Sequence, residues 1–110
     1  MNVDFKGYGE NVATFIATDT VNEGNLVKIV NNFTVAPCTA NDEIAGICVG
    51  VSDGYAAVQL SGYVEIECNK RITLGYSSVA AASATQVTSS TTARKYNVIY
   101  STDSKVGFIL

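Results

Sequence analysis

The side chains that could carry out chemistry in this chain are cysteines and carboxylates, because the sequence contains no histidine. Without imidazole there is no Ser-His or Cys-His nucleophile, no imidazole proton relay and no histidine-ligated zinc or iron. The three cysteines are Cys38, Cys48 and Cys68, an odd number at spacings of 10 and 20 residues. That spacing fits neither a paired disulfide framework nor a C-x-x-C metal site. We interpret them as small buried hydrophobic residues in a reducing compartment.

Two pairs of carboxylates are the remaining candidates for general acid–base chemistry, Asp42 with Glu43 and Glu65 with Glu67. Adjacent residues on a strand point to opposite faces, so the first pair would diverge. The second pair alternates with apolar residues, which predicts a solvated strand face. Cys48, the best thiol candidate, lies in the most apolar run of the chain. We therefore predict no enzyme activity, no catalytic residue, no cofactor and no metal site.

Composition predicts a single globular domain with an unusually neutral surface. The chain has 110 residues, 47% of them hydrophobic and only 15% charged, with a net charge of −3. Charged residues make up roughly 25% of an average soluble protein. Seven scattered cations provide no basic stripe for nucleic acid. No apolar segment approaches the roughly 18 residues that a membrane span needs, and the acidic N-terminus does not resemble a signal peptide.

The elements that must position any functional surface are strands. Short β-prone runs separated by Gly, Asn and Asp predict an all-β fold, namely a small single-domain β-barrel or β-sandwich of short antiparallel strands over residues 12–110. An extended N-terminal arm is predicted over residues 1–11. The run from Ile44 to Val51 is continuously apolar and is expected to be covered on both faces, while Pro37 should end the strand before it. Strands are predicted over 12–17, 26–30, 33–35, 44–51, 55–60, 64–68, 95–100 and 106–110.

A weak internal repeat occurs at a spacing of 50 residues. Residues 47–54 align with 97–104, and 58–60 align with 108–110. Both copies read as a strand, an Asp-containing turn and a strand that ends in Leu. Two copies are too few for a solenoid, so we expect two hairpins of one small barrel or sandwich. Chance similarity between two hairpins is the alternative.

The stretch from Ile72 to Ala93 contains no charged residue and consists mainly of Ser, Thr, Ala, Gly and Val. Small neutral side chains lose little entropy on burial and carry no charge to desolvate, as is typical of interface cores. The stretch could therefore be a subunit or docking surface. A mobile Ser/Thr-rich loop between short edge strands and a ligand pocket are the alternatives.

The N-terminal arm combines two aromatic residues, Phe5 and Tyr8, with two flexible glycines, Gly7 and Gly9. They could anchor the arm in an apolar notch of a neighbouring subunit, or the arm could pack back on its own barrel. Two glycines without a third, outside a strand–turn–helix, do not predict a phosphate site. The residues predicted to form an interface are Phe5, Tyr8, Tyr76, Val79, Gln86 and Val87.

Four segments carry a resemblance to a known family. They are residues 5–15 (FKGYGENVATF), 34–38 (TVAPC), 53–64 (DGYAAVQLSGYV) and 106–110 (VGFIL). In this order they resemble the head fiber proteins of tailed bacteriophages, and the chain is also similar to the wider group of small β-rich capsid decoration proteins. The likeness extends over nearly the whole chain, and its motifs are structural, not catalytic.

The resemblance implies a virion protein on the outer capsid surface that is made in the host bacterial cytoplasm. Such a protein is non-enzymatic, binds the major capsid protein and usually forms a homotrimer. No heptad or fibrous repeat follows within the sequence, so we expect the capsid-attached base of a fiber or a short decoration protein.

The alternative function is a carbohydrate-binding or host-adhesion β-sandwich module. Six tyrosines are available for stacking on sugars, although tryptophan is absent. A host glycan is therefore kept as a second candidate partner.

Overall fold

The computed structural model describes residues 9–18 and 20–110 and confirms the all-β prediction, with ten strands and no helix in those residues. Most of the predicted N-terminal arm, residues 1–8, lies outside the described residues, and Asn11 already belongs to the first strand. The strands are β1 Asn11–Ala17, β2 Leu26–Asn31, β3 Thr34–Pro37, β4 Gly46–Ser52, β5 Tyr55–Ser61, β6 Tyr63–Cys68, β7 Gly75–Ala81, β8 Gln86–Ser89, β9 Lys95–Ser101 and β10 Lys105–Ile109.

The strands close into two small barrels. The first barrel has the order β1-β3-β2-β4-β5, and the second has the order β10-β6-β8-β7-β9. In each barrel the first strand along the chain pairs in parallel with the third and antiparallel with the fifth. The sequence predicted one barrel or sandwich of antiparallel strands. The structure divides the same strands between two barrels, and each barrel contains one parallel pair.

The weak repeat reflects this duplication. Cys48 pairs with Val58 in the first barrel, and Val98 pairs with Phe108 fifty residues later in the second. One extra residue interrupts each of these pairings, Val49 in β4 and Ile99 in β9. The expectation that both copies belong to one barrel is wrong. The β4–β5 hairpin pairs with β2 and β1 of the first barrel, whereas the β9–β10 hairpin pairs with β7 and β6 of the second. Closure of each half gives every one of these strands a hydrogen-bonded neighbour on both sides.

Two strands inside the neutral stretch were missed from the sequence. β7 and β8 pair antiparallel, with Val79 opposite Ser89 and Ala81 opposite Val87. Ala and Ser are poor strand formers and show no clear alternation, so local preference does not mark these segments. The alternative of a mobile loop between edge strands is therefore wrong for the half of the stretch that forms β7 and β8.

Each barrel has its own core, but the second core extends into the first half of the chain. The first core is made of small residues, Val27, Val35 and Val58 among them. The second is built around Phe108 and the Tyr96 ring, whose centroids lie 5.1 Å apart. Three residues from the first half complete it: Leu26, Cys38 and Ile44. All three cysteines, Cys38, Cys48 and Cys68, are buried and unbridged, as predicted from the sequence.

The β7–β8 hairpin connects the second barrel to the first. The backbone N–H of Leu26 donates to the carbonyl oxygen of Ala84 at 2.7 Å. Ala81 donates to the carbonyl of Asp42 at 3.0 Å and accepts from the N–H of Asn41 at 2.8 Å. The Tyr96 hydroxyl donates to the carbonyl of Ile44 at 3.2 Å. Part of the neutral stretch is thus an interface, but one between the two barrels of a single chain.

The apolar run over 44–51 is only partly covered. Val49 and Val51 are exposed, so the prediction that both faces of this strand are buried is wrong at its second half. The run begins in a crowded place, since a Cβ added at Gly46 would overlap the carbonyl oxygen of Gln59. The strand therefore passes from the interior of the molecule to an exposed outer face.

Candidate functional site

The main candidate surface is the outer face of the first barrel, formed by outward side chains of β1, β5 and β4. Ile16 lies directly opposite Tyr55 in the β1–β5 pair, and the two residues are 47% and 54% exposed. Thr14 lies opposite Ala57 in the same pair, and Val12 is exposed one step further along β1. Alternation along a strand places Val12, Thr14 and Ile16 on one side of the sheet. We call this surface the apolar face.

A shallow depression runs across the apolar face. Its floor is made by Ala57 and Gly50, which pair across β5 and β4. Its rim carries Thr14, Val51 and Tyr55, together with the Ser52 hydroxyl. Neither a charged side chain nor a cysteine is among these lining residues. The arrangement is suited to contact with another surface, because covering these lining residues would desolvate no charged side chain.

The equivalent positions of the second barrel carry a different surface. Glu67 lies opposite Lys105 there, at the place that Ile16 and Tyr55 occupy in the first barrel. Likewise, Glu65 lies opposite Gly107 at the position where the first barrel has Thr14 opposite Ala57. Opposite charges across a strand pair favour a solvated face. The alternation of Glu65 and Glu67 with buried residues confirms the prediction of a wet strand face.

Tyr63 fills the depression in the second barrel. A Cβ added at Gly107 would overlap the Tyr63 hydroxyl, which shows that this side chain lies over the glycine. The same hydroxyl donates to a carboxylate oxygen of Glu65 at 2.8 Å. Burial and the neighbouring carboxylate raise the pKa of Tyr63 to about 12, so it stays a neutral donor. At equivalent strand positions the two barrels thus differ in surface charge and in shape, since the depression is open in the first barrel and filled by Tyr63 in the second.

The interface residues predicted from the neutral stretch are divided by the fold. Tyr76 is 69% exposed on the outer side of β7, and Gln86 is half-buried in β8. Val79 and Val87 belong to the second core, with 1% and 0% exposure. The prediction that these two valines contact a partner is therefore wrong, because their strand positions turn both side chains inward. Phe5 and Tyr8 lie outside the described residues.

The first carboxylate pair has a structural role. One carboxylate oxygen of Asp42 accepts from the Lys28 ammonium at 2.7 Å and from both the backbone N–H and the hydroxyl of Thr39 at 2.8 Å. These hydrogen bonds, the one from Lys28 first, lower the pKa of Asp42 to about 2. Glu43 instead accepts from the backbone N–H of Arg94 and ties the loop between β3 and β4 to the second barrel. The two carboxylates have different partners, but they lie in this loop and not on a strand, so strand alternation is not what separates them.

Two of the cysteines, Cys38 and Cys68, are held as thiols. Burial raises the pKa of Cys38 to about 11 and raises that of Cys68 as well. The Cys48 thiol is 1% exposed and donates to the carbonyl of Gly50 at 3.4 Å. A thiolate is the reactive form, so burial of this kind opposes nucleophilic chemistry. Within residues 9–18 and 20–110, no three His, Cys, Asp or Glu side chains cluster so as to hold a metal ion.

Sequence reasoning missed the apolar face. Its signal is the run Val12 to Ile16, where apolar residues occur on both sides of a predicted strand and no charge interrupts them. Such a run predicts a strand but does not indicate which of its two apolar sides is buried. No helix in the described part of the chain is long and apolar enough to cross a bilayer.

In comparison with known proteins, the chain matches no protein-family model and no curated protein sequence.

Proposed function

We propose that this protein is a non-enzymatic structural component of a phage virion, which decorates the outer surface of the head by binding the major capsid protein as a homotrimer. The observation that carries the proposal is the uncharged, exposed Ile16–Tyr55 pair of the first barrel, at the position where the second barrel has Glu67 and Lys105. The same scaffold therefore carries one adhesive face and one solvated face.

The physical chemistry of the apolar face supports docking onto a protein surface. Burying Ile16, Tyr55 and Val12 against a partner removes apolar area from water without desolvating any charge. The face lies on two paired strands of a closed barrel, so little backbone ordering is needed on binding. On a capsid lattice, linked copies raise one another's effective concentration, and modest individual contacts then give durable attachment.

The resemblance to head fiber proteins adds support from a second direction. The segment 53–64 contributes the turn after β4, all of β5 and the start of β6, so it forms part of the apolar face and joins the two barrels. Segment 106–110 contains most of β10, the equivalent strand of the second barrel. Residues 11–15 and 53–64 of the resembling segments thus include parts of β1 and β5, the two strands that present the Ile16–Tyr55 pair, whereas 106–110 belongs to the second barrel.

The test is co-sedimentation with expanded heads assembled from the major capsid protein of the phage that encodes this chain. We expect saturable binding of the wild-type protein. The variant Ile16→Glu/Tyr55→Lys transplants the charged pair of the second barrel and should lose most binding while remaining folded. The matched control, Glu67→Gln/Lys105→Gln, should bind as the wild type does. Absence of binding by the wild-type protein, or equal binding by both variants, would overturn the proposal.

A glycan is the second candidate partner, favoured by one feature of the apolar face. Tyr55 stands beside the depression with the hydroxyls of Thr14 and Ser52 at its rim, and an exposed ring next to hydroxyls suits sugar stacking. Screening against a glycan array distinguishes the two functions. A hit that Tyr55→Ala abolishes, without any capsid association, would favour the adhesion module.

A further inference from the structure

The contact between the two barrels of one chain has two sides. On the first barrel it is the outer side of the β2–β4 pair, where Leu26 lies opposite Ile47. Leu26 is completely buried there and donates its N–H to Ala84. On the second barrel the contact is made by the β7–β8 hairpin, which carries Ala81 and Ala84. A strand-pair face of one barrel thus receives a hairpin tip of the other.

The duplication places an equivalent of each side elsewhere on the molecule. The strand-pair face recurs in the second barrel, where Tyr76 lies opposite Asn97 just as Leu26 lies opposite Ile47 fifty residues earlier. The hairpin recurs in the first barrel as β2–β3, with its turn at Asn32 and Phe33. Both equivalents lack a cover within the described residues: Tyr76 is 69% exposed and Phe33 is 78% exposed.

The β2–β3 hairpin has the properties of a contact surface. Ile29 and Val30 are also exposed, at the end of β2 that leads into the Phe33 turn, so the hairpin presents three large apolar side chains to solvent. Phe33 also has a φ of 52°, in the left-handed region that bulky residues rarely adopt. Asn or Gly would relieve that strain, and the exposed ring gains little packing within its own chain. A strained, exposed aromatic at a turn points to a role outside the chain.

Charge distinguishes the two halves of the molecule. Residues 1–61 contain seven acidic and two basic side chains, a net charge of −5, whereas residues 62–110 contain three acidic and five basic ones, a net charge of +2. Near the hairpin tip, the Ile16 N–H donates to Phe33 and the Ala17 N–H to Gly54, which brings the Asp53 turn alongside. Near the other surface, the Lys95 ammonium lies 5.7 Å from the Tyr76 ring centroid.

We infer that copies of this chain associate head to tail, with the β2–β3 hairpin tip of one copy seated on the Tyr76 face of the next. This contact between two chains has the same arrangement as the contact between the two barrels of one chain. It also brings the acidic half of one copy next to the basic half of the other. Such a contact joins two different patches, so it either closes a ring or continues as a filament. The head-to-tail contact does not depend on the proposed function. Only the expected number of copies, three, rests on the proposed homotrimer.

Disulfide trapping tests the contact directly, because the three native cysteines are buried and give little background. Chains carrying Phe33→Cys and Tyr76→Cys are purified separately, mixed and oxidised. We expect the mixed disulfide to form at least about tenfold faster than either like-with-like product. The control pairs Phe33→Cys with Asp103→Cys, whose side chain is 90% exposed and lies away from the Tyr76–Asn97 pair. Equal yields from the control pair, or preferred like-with-like products, would overturn the head-to-tail contact.

The doubly substituted chain, Phe33→Cys/Tyr76→Cys, separates this inference from the proposed function. A closed covalent trimer on a denaturing gel is expected if both are right. A ladder of longer products would support the head-to-tail contact and contradict the homotrimer. Phe33→Asn supplies a variant that should fold at least as well, since Asn tolerates a positive φ. Light scattering should show at least about tenfold weaker self-association for it, and unchanged self-association would count against the contact.

Discussion

The first and second barrels share strand order, pairing direction and the position of a bulge, yet they present different surfaces. Where the first barrel exposes Ile16 and Tyr55, the second exposes Glu67 and Lys105. Where the first has a shallow depression, the second places Tyr63 over Gly107. Backbone pairing does not require any of these outward side chains. The difference therefore shows that the same strand pairing carries an uncharged outer face in one barrel and a charged outer face in the other.

The interiors of the two barrels also differ, and here the second barrel has the larger side chains. Val58 in the first core corresponds to Phe108 in the second, and Gly46 corresponds to Tyr96. The second core is larger because it also holds Leu26, from the first half of the chain. Stability should therefore depend more on the second barrel, while binding should depend more on the first. The four predictions below test this division.

The largest effect is expected from Phe108→Ala. Phe108 is fully buried, and removing the ring should lower the free energy of unfolding by about 3–5 kcal/mol, as is usual for Phe to Ala in a core. The matched change Val58→Ala removes two carbons at the equivalent position and should cost about 2 kcal/mol. Chemical denaturation followed by circular dichroism measures both. If Val58→Ala were the more damaging change, the second core would not dominate stability.

The next largest effect is on capsid binding by Ile16→Glu/Tyr55→Lys. Loss of two half-exposed apolar side chains from a contact should weaken binding by about 2–3 kcal/mol, or roughly 30- to 150-fold. The free energy of unfolding should change by less than about 1 kcal/mol, because surface substitutions that preserve cross-strand pairing are mild. Co-sedimentation and denaturation measure the two quantities. A variant that unfolds would leave Ile16→Thr as the gentler replacement, with about a tenfold loss expected.

Gly46→Ala should destabilise the first barrel by about 1–3 kcal/mol. The new methyl would overlap the carbonyl oxygen of Gln59, which belongs to the backbone and has little room to yield. Gly50→Ala in the same strand is the control, since nothing lies within 4 Å of its added Cβ, and we expect little change there. Thermal unfolding of the two variants gives the comparison. Equal melting temperatures would show that β4 can shift at Gly46 without loss.

The smallest effect concerns pH and the loop between β3 and β4, which contacts the second barrel. The pKa of Asp42 is lowered from 3.8 to about 2 in the folded chain, so its hydrogen bonds stabilise the fold above about pH 4, and that contribution is lost as the pH falls through 2. Asp42→Asn should therefore melt below the wild type at pH 5, and the difference should vanish near pH 2. Asp103→Asn removes an exposed ion pair with Arg71 and should change the melting temperature little at either pH.

Several elements were predictable from the sequence because local chemistry marks them. Pro37 ends β3, since it cannot donate to a sheet ladder, and the alternation of Val64, Ile66 and Cys68 with two glutamates predicts the faces of β6 correctly. The repeat at 50 residues was also visible in the sequence. It was assigned to one barrel because spacing alone does not state which strands pair.

The missed features depend on contacts between distant parts of the chain. β7 and β8 consist of small residues that form strands because they pair with each other and with β9 and β6. Val79 and Val87 were expected on a surface, since a neutral composition does not distinguish an outer face from an inner one. The apolar face required comparison of Ile16 with Tyr55 across strands that lie some forty residues apart.

The sequence by itself determined that this protein is built from strands, that its cysteines are buried and that its chemistry lacks imidazole, because residue type and alternation act locally. Only the tertiary structure decided that the strands close into two barrels, that part of the neutral stretch joins those barrels, and that Ile16, Tyr55 and Phe33 face solvent. Those outcomes depend on which strands pair and on the register of each pair. A shift of one residue in register would exchange the inner and outer faces of a strand, so exposure follows from pairing across the fold.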